Sequence, residues 1–444
     1  MDWINKLMDL PKYGAGIGLH RIDYLCRDIQ SSSWWENLDS INIVGTNGKG
    51  STAVMISGIL EQLGFVTGQY TSPHLIHFSE RIQVGGEPIE QPDLIRLIQS
   101  FFDQKKQYEL AFPGDFIGAF EAFTSIGLHY FYEKKPDVLV LEAGIGGRFD
   151  PTRMGAGRFI GLTSVDLEHT QLLGDTLEEI AMDKIDIAQA GSTVIIGNVP
   201  AEVERKLRAY AGIKGVELIT LGQESSIHQI RYEGNGMKVD FSLDGLEFKS
   251  LLCPLVGPHQ LNNLMLAILL VKKWLAYKQL GIEDSQLVRA TQLALEQLRW
   301  PGRFEKLCDV PPVYVDVGHT PQAMQQLVLT AKKAINGPIL LVFGLSKGRA
   351  PAPMLAPWLP HVSEVFLTEA RHRSLGVGQL AKSLAENAPD GKKAVFKNME
   401  EAIEEGLKKA QQEGKTIIIT GSLFLAMEAR AYLQGVSPGS LRFF

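Results

Sequence analysis

The chain has few cysteines, no long apolar run and no surplus of positive charge, and each shortage removes a class of function. Its three cysteines, Cys26, Cys253 and Cys308, lie far apart in 444 residues. Such spacing builds neither a disulfide framework nor a thiolate metal site, so they read as small buried hydrophobes in a reducing compartment. No stretch is long enough to cross a bilayer as a helix. Residues 1–14 carry Asp2, Lys6, Asp9 and Lys12, where a signal peptide needs an unbroken apolar core. A cytoplasmic protein with no membrane partner is expected. The 44 Lys and Arg against 50 Asp and Glu leave a net charge of -6, so no nucleic-acid partner is expected and any anion site must be local. Internal repeats and low-complexity tracts are also lacking.

What is present is a large globular potential. With 45% hydrophobic and 21% charged residues, the chain can bury a sizeable core. Its length suggests two or three domains, two unequal ones being the simplest division. The run Ile41 to Val44 has strand length and breaks at Gly45, and Ser51 opens a helical pattern through Val54, Met55, Ile59, Leu60 and Leu63. Further strands are predicted at Val138 to Leu141, Phe159 to Thr163 and Thr193 to Ile196, separated by helical spacing such as Leu177 to Ala188. This alternation implies a mostly parallel sheet covered by helices. Between Val216 and Leu252 apolar and polar residues alternate around the turns Gly234-Asn235-Gly236 and Asp244-Gly245, which predicts a small antiparallel sheet. Helices predicted at Leu261 to Tyr277 and Ser285 to Leu298 lead to a linker at Trp300-Pro301-Gly302. A second α/β series then begins, with strands at Val313 to Val315, Ile339 to Phe343, Glu364 to Leu367 and Thr416 to Ile419.

Gly45-Thr46-Asn47-Gly48-Lys49-Gly50-Ser51 falls between the first strand and its helix. Backbone N–H groups and the helix dipole favour a phosphate there. Lys49 would reach the outer phosphates and Ser51 would put a hydroxyl near Mg2+. A strict phosphate-loop pattern needs Ser or Thr directly after Lys, and here Gly50 intervenes. The alternative is a ligand-free glycine turn, but the strand-to-helix setting with Lys and Ser together argues for a nucleotide. A dinucleotide-binding dehydrogenase is disfavoured because Lys49 has no purpose against a pyrophosphate fingerprint.

This loop, continued by Thr52, resembles that of the Mur ligases, and its extra glycine resembles the folylpolyglutamate and dihydrofolate synthase branch. Thr71-Ser72-Pro73-His74-Leu75 with Phe78, Glu80, Arg81 and Ile82 is similar to that branch's next loop, and Leu141-Glu142-Ala143-Gly144-Ile145-Gly146-Gly147-Arg148-Phe149-Asp150 to its acidic strand end. Glu168-His169-Thr170, Leu173-Gly174, Lys184, Gly257-Pro258-His259-Gln260 with Asn263, Pro301-Gly302-Arg303, Asp316 with His319, and Thr420-Gly421-Ser422-Leu423 follow in the same order. The resemblance runs from about Gly14 to Leu425.

The resemblance implies an α/β fold: a Mur-ligase-like P-loop ATPase domain with a small antiparallel sheet over residues 1–298, then a Rossmann-like domain over 299–444. It implies an ATP-dependent amide ligase that adds L-glutamate to a folate or dihydropteroate carboxylate through an acyl phosphate, as a monomer. Asn47, Gly48, Lys49, Gly50, Ser51, Asn263, Arg303 and Asp316 would bind ATP. Ser51, Ser72, Glu142, His169 and a carbamylated Lys184 would hold two Mg2+ ions. Lys49, Lys184 and His319 would serve catalysis. Arg21, Phe120, Glu121, Phe149 and Asp150 would meet the acyl substrate. Several of these have plainer readings: Lys184 beside Asp183 and Asp186 is a solvated charge when taken alone, Phe120 at helical spacing is core, Asn263 is a helix-surface amide and Arg303 a surface cation.

Three segments depart from the family pattern. Asp316-Val317-Gly318-His319-Thr320-Pro321 has Thr320 in place of Asn, and Lys184-Ile185-Asp186 stands where Lys-Ala-Gly is usual. Ser346-Lys347-Gly348-Arg349 replaces an Asp-Lys-Asp, losing two acids and gaining an arginine. The ATP half of the expected site is therefore intact while the amine half has drifted. A ligase with another carboxylate or amine stays open, and so does a catalytically silent ATP-binding regulator.

Overall fold

A computed structural model describes residues 2–233, 236–385 and 393–441. Eight strands form the first sheet: β1 (Ser40–Val44), β2 (Thr67–Tyr70), β3 (Ile82–Val84), β4 (Glu87–Pro88), β5 (Val138–Glu142), β6 (Phe159–Leu162), β7 (Thr193–Ile196) and β8 (Glu217–Thr220). Their order is β4-β3-β2-β5-β1-β6-β7-β8, parallel from β2 to β8, with β3 and β4 added antiparallel at one edge. β1 is central and buried at every position, as a strand covered on both faces must be.

Three apolar layers enclose this sheet. Helix Lys49–Gln62 packs with helices Pro258–Lys278 and Asp284–Gln297 on one face. Helices His20–Gln30, Gln91–Ala111 and Ala119–Lys134 cover the β2–β5 side of the other face, and Leu177–Ile185 with Ala201–Lys214 cover its β6–β8 side. Helix Pro258–Lys278 is buried along most of its length, including Leu264, Ile268 and Val271. Such a helix has little amphipathic character because it is covered all round.

The small antiparallel sheet comprises β9 (Ser225–Glu233), β10 (Gly236–Leu243) and β11 (Leu246–Cys253), in the order β11-β10-β9. Asp244 and Gly245 both take positive φ, as a two-residue hairpin requires. Gly234 and Asn235 of the other expected turn lie outside the described residues. One expectation needs correction. Residues 217–220 belong to the large sheet, where Thr193 to Ile196 pair in parallel with Glu217 to Thr220. Alternation identifies a half-exposed strand but not its partner, so this edge strand was grouped with the hairpins that follow.

The second sheet has the order β12-β13-β17-β14-β15-β16: β12 (Glu305–Asp309), β13 (Pro312–Val315), β14 (Ile339–Phe343), β15 (Glu364–Leu367), β16 (Lys393–Val395) and β17 (Thr416–Thr420). All pairs are parallel except β12 with β13. Helices on its two faces bury separate apolar clusters.

The loop after β2 joins the two halves. Leu75 is buried in the second half's core with Val313, Val315 and Val317, and Ile76 packs beside it. Replacing Leu264 with Ala empties fully buried volume where the helix Pro258–Lys278 meets its neighbours. Urea unfolding should show a loss of about 2–5 kcal/mol.

Candidate active site

The phosphate loop stands at the carboxyl edge of the first sheet, where open α/β sheets bind ligands. Gly48, in the left-handed region at φ 88, precedes helix Lys49–Gln62 and offers no side-chain cap. The first amides of that helix therefore face the cleft without a capping oxygen, an arrangement suited to an anion. A Cβ on Gly48 would come within 2.5 Å of Asn263 Oδ1, and one on Gly50 within 2.9 Å of the Trp300 ring and 3.3 Å of Glu142 Oε2. The glycine that breaks the strict motif is thus a packing requirement. Lys49 Nζ donates to Gly45 O at 2.9 Å and Thr46 O at 3.1 Å, which curls it over the loop. Asn47 donates to Gln322 Oε1 of the second half at 3.0 Å. Ser51 is buried at the start of the helix.

Glu142 ends β5 and is buried. Burial raises its pKa, opposed by Lys49, the Ser72 amide at 2.8 Å, Arg303 and Arg81. Ser72 is held there by its neighbours. Glu80 accepts from the amides of Leu75, Ile76 and His77 at 2.8, 3.0 and 2.7 Å. Arg81 Nε donates to His74 Nδ1 at 2.8 Å while its carbonyl accepts from Thr71 N. Burial lowers the Arg81 pKa to about 10, still far above neutrality, so a buried cation braces this loop.

A second acidic cluster lies across Lys49. Glu168 is 3.1 Å from His169 Nε2. Burial opposes its charge, but the hydrogen bond from His169 and the charges of Lys49, His169 and Lys184 win and pull its pKa down to about 2. Lys184 is only 3% exposed. Desolvation, reinforced by Lys49, lowers its pKa to about 7 against the opposing Glu168, Asp183 and Asp150. The solvated-charge reading of Lys184 is therefore wrong. Its flanking acids are engaged elsewhere: Asp183 Oδ1 accepts from Gly147 N at 3.1 Å, and Asp186 pairs with Lys214 and Tyr210.

The second half brings Arg303, Asp316 and His319 to the same cleft. Asp316 accepts from Phe304 N at 2.9 Å and Gly318 N at 2.7 Å, and Arg303 lies within its field. Arg303 also feels Glu142 in the first half, and among the described residues its buried Nε has no hydrogen-bond partner. His319 Nδ1 is 3.0 Å from Val317 O. Burial lowers its pKa, Arg349 and Arg303 adding to this and Glu168 opposing. Asn263 is buried against Gly48 and donates to Gln260 Oε1 at 3.1 Å, which removes its surface reading.

The donor set fits a magnesium nucleotide. Unpartnered Nε of Arg303, uncapped helix amides and a curled Lys49 suit phosphates, while the oxygens of Ser51, Ser72 and Glu142 suit a hard cation. Sequence reasoning names Glu168, His259 and Trp300 only as parts of motifs or a linker and gives them no role in the site. Burial, with Arg303 adding, lowers the His259 pKa to about 4, and its Nδ1 and the Trp300 Nε1 are both buried and unpartnered.

Beside the phosphate loop a cavity of about 950 Å3 opens, lined by both Phe120 and Phe149 and by Ser72 and His169. The Phe120 ring covers Gly144, where a Cβ would meet it at 2.4 Å, and contacts Tyr70 edge-on. It is wall and core at once. Phe149 is 44% exposed at the mouth. Arg21, Glu121 and Asp150 line the cavity too, but their polar atoms are occupied. Arg21 Nε donates to Glu121 Oε1 at 2.7 Å, its other nitrogens hold Asp115 and the Gly16 carbonyl, and Glu121 Oε2 accepts from Gly118 N at 2.7 Å. Asp150 accepts from Gly144, Ile145 and Thr152 amides at 2.9 to 3.0 Å and from Thr152 Oγ1 at 2.6 Å. These three build the walls.

Removing the Glu80 carboxylate by Glu80→Ala frees three loop amides. Magnesium-dependent turnover should fall by about 10-fold or more with a raised magnesium requirement, while the chain stays folded by circular dichroism. Unchanged magnesium dependence would remove Glu80 from the site's support.

The Mur ligase middle domain matches residues 120–271 and the Mur ligase glutamate ligase domain matches 302–423. The folylpolyglutamate synthase of Lacticaseibacillus casei is 29% identical over 408 residues, covering 89% of this chain and 90% of that one. The dihydrofolate synthetase of Saccharomyces cerevisiae is 30% identical over 368 residues, covering 79% and 81%. A solved folylpolyglutamate synthase complex with AMPPCP and folate superposes with a TM-score of 0.81 at 26% identity, covering 97% of this chain and 98% of that one. With the phosphate loop, the acidic strand end and the second-half arginine meeting in one cleft, the chain belongs to the folylpolyglutamate and dihydrofolate synthase family of Mur ligases.

Proposed function

We propose that this chain joins L-glutamate to the carboxylate of a folate or dihydropteroate, with ATP converted to ADP and phosphate, in the cytoplasm. The observation that carries the reading is the meeting of Lys49, Glu142, Glu168, Lys184 and Arg303 around one uncapped helix end. Residues 1–298 and 299–444 are taken as the two domains that enclose the nucleotide. The AMPPCP and folate in the solved relative support both substrates.

A carboxylate is a poor electrophile and is repelled by a triphosphate. Lys49, Arg303 and the helix amides supply positive charge to the γ-phosphate, so a carboxylate oxygen can attack phosphorus while the bond to ADP breaks. Ser51, Ser72 and Glu142 would hold one Mg2+ and His169 with carbamylated Lys184 a second, and bound metal supplies charge neutralisation between phosphate and carboxylate. The apolar mouth at Phe120 and Phe149 suits a flat heterocycle and keeps water from the acyl phosphate. His319, kept neutral by burial, can accept the proton that the incoming ammonium must lose before its nitrogen attacks the acyl carbon and phosphate leaves.

A lysine adds CO2 only as the free amine, releasing one proton as it becomes a carbamate. The pKa of about 7 leaves Lys184 mostly neutral above pH 7 and protonated below it. At fixed dissolved CO2 labelled with carbon-13, a carbamate signal should grow from pH 6 to pH 8 and be absent in Lys184→Ala. A signal independent of pH, or none at all, would remove the second metal's lysine ligand.

Purified protein should release ADP only when Mg2+, a pterin carboxylate and glutamate are all present. Lys49→Ala should lower that rate by on the order of 100-fold or more. ADP release with another amino acid but not glutamate would favour the ligase with a changed amine. ATP binding without turnover under any substrate pair would favour the regulator.

A further inference from the structure

The first-half lining of the cavity carries both signs, Lys12 and Arg148 with Glu179 and Asp183, and the second half adds Arg373. Lys347, Arg349 and Arg373 stand on two of its loops, and among the described residues none of them enters an ion pair, unlike their neighbours Arg371 with Glu400 and His372 with Glu428. The two loops are tied to each other. Lys347 N donates to Arg373 O at 2.8 Å, Leu375 N to Leu345 O at 2.8 Å, and Ser346 bridges Ser374.

The piece is also anchored from below. Glu428 has no exposure and accepts from Arg371 N at 2.8 Å, His372 N at 3.1 Å and His372 Nδ1 at 2.7 Å. A carboxylate is buried this deeply only when its oxygens are satisfied, so these bonds mark a loop built to one conformation. Arg373 comes next, at φ 43, a left-handed backbone that disfavours a residue with a side chain. It lines the mouth of the cavity together with His169 and Asp183. Arg349 lies within the field of His319, where the expected chemistry occurs. Among the described residues, Arg373 thus lines the cavity with no ion pair, and Arg349, on the loop bonded to it, is near enough to act on His319.

A glutamyl acceptor that reacts through one carboxylate carries a second one close by, and an incoming glutamate, which reacts through its amine, carries two that do not react. We infer that Arg349 and Arg373 form a carboxylate-binding pair that holds the non-reacting carboxylate of a glutamyl unit beside the reaction centre. This rests on the glutamate-ligase reading. Planar guanidinium forks suit a carboxylate and disfavour an amine with a neutral or basic tail. The gain of arginine in this segment is therefore compatible with glutamate. The carboxylate has two sources, the terminal glutamyl of an acceptor or the incoming amino acid.

Calorimetric titration of the full chain, loaded with magnesium ADP, compares pteroate, which lacks this carboxylate, with pteroylglutamate, which bears it. Arg373→Gln should weaken pteroylglutamate by about 10-fold or more, the value of one charge-assisted hydrogen bond, and leave pteroate unchanged; Arg373→Lys should recover part of the loss. In the second arm, Arg349→Gln and Arg373→Gln are assayed with dihydropteroate as acceptor, and a KM for glutamate raised by about 10-fold assigns the pair to the incoming amino acid. A shift in either arm supports the pair and names its source. Unshifted values in both arms, or equal weakening of pteroate and pteroylglutamate, overturn it. A wild-type chain that binds neither pterin and releases no ADP with them overturns the ligase reading and the pair together, an outcome distinct from tight binding that ignores both substitutions.

Discussion

Lys49 has to stay charged and reachable among groups that both need and oppose it, and the architecture of the cleft follows from that. Its side chain is curled onto two loop carbonyls, its field helps hold Glu168 ionised and opposes the burial that raises the Glu142 pKa, and it adds to the desolvation that pushes Lys184 toward neutrality. One lysine thereby favours the charged form of two neighbouring carboxylates and the free-amine form of a second lysine. In bulk water these couplings would fade within a few ångströms. In the low-dielectric seam between helix end and sheet edge they persist.

The two halves are coupled through that seam by packing as well as by charge. Leu75 sits in the second half's core while its own amide is held by Glu80, two residues from the strand that Arg81 leads into. Ser72, three residues before Leu75, donates to Glu142. A displacement of the second half would pull on Leu75, and the pull would reach Ser72 along a short, hydrogen-bonded arc. Arg303 and Asn47 bridge in the opposite direction, one sensing Glu142 and the other bonded to Gln322. The residues that face the cleft thus also join the halves, so a ligand bound there would be linked to their relative placement.

Strand lengths and the phosphate loop were legible in the sequence because they depend on local pattern: an apolar run, a glycine break, a helical period. β14 and β15 appear at the expected residues. What local pattern does not carry is partnership. Local pattern places β8 in the wrong sheet because pairing is a long-range choice, and without the family resemblance it makes Lys184 a solvated charge because its neighbours Asp183 and Asp186 look like its counter-ions. In the fold they serve Gly147 and Lys214 instead. Glu168 could have been found beside His169, since an acid adjacent to a candidate ligand commonly orients it. His259 and Trp300 show themselves only through unpartnered buried nitrogens, which no sequence displays.

The cavity residues carry a further distinction. Arg21, Glu121 and Asp150 were expected to grip the acyl substrate, yet their hydrogen-bonding atoms are turned to Gly16, Gly118, Gly144 and Ile145. Charged side chains here shape backbone, and the shaped backbone with two phenylalanines forms the wall. Recognition by a fixed wall depends on fit, and every side chain spent on fixing it is unavailable for direct contact. A flat ring would therefore be selected by shape on the first half, while an anionic tail would meet Arg373 of the second half beside Lys12 and Arg148. A ligand satisfying both must bridge the seam, which gives the enzyme a physical reason to bring its two halves together only around a substrate that has both a flat head and an anionic tail.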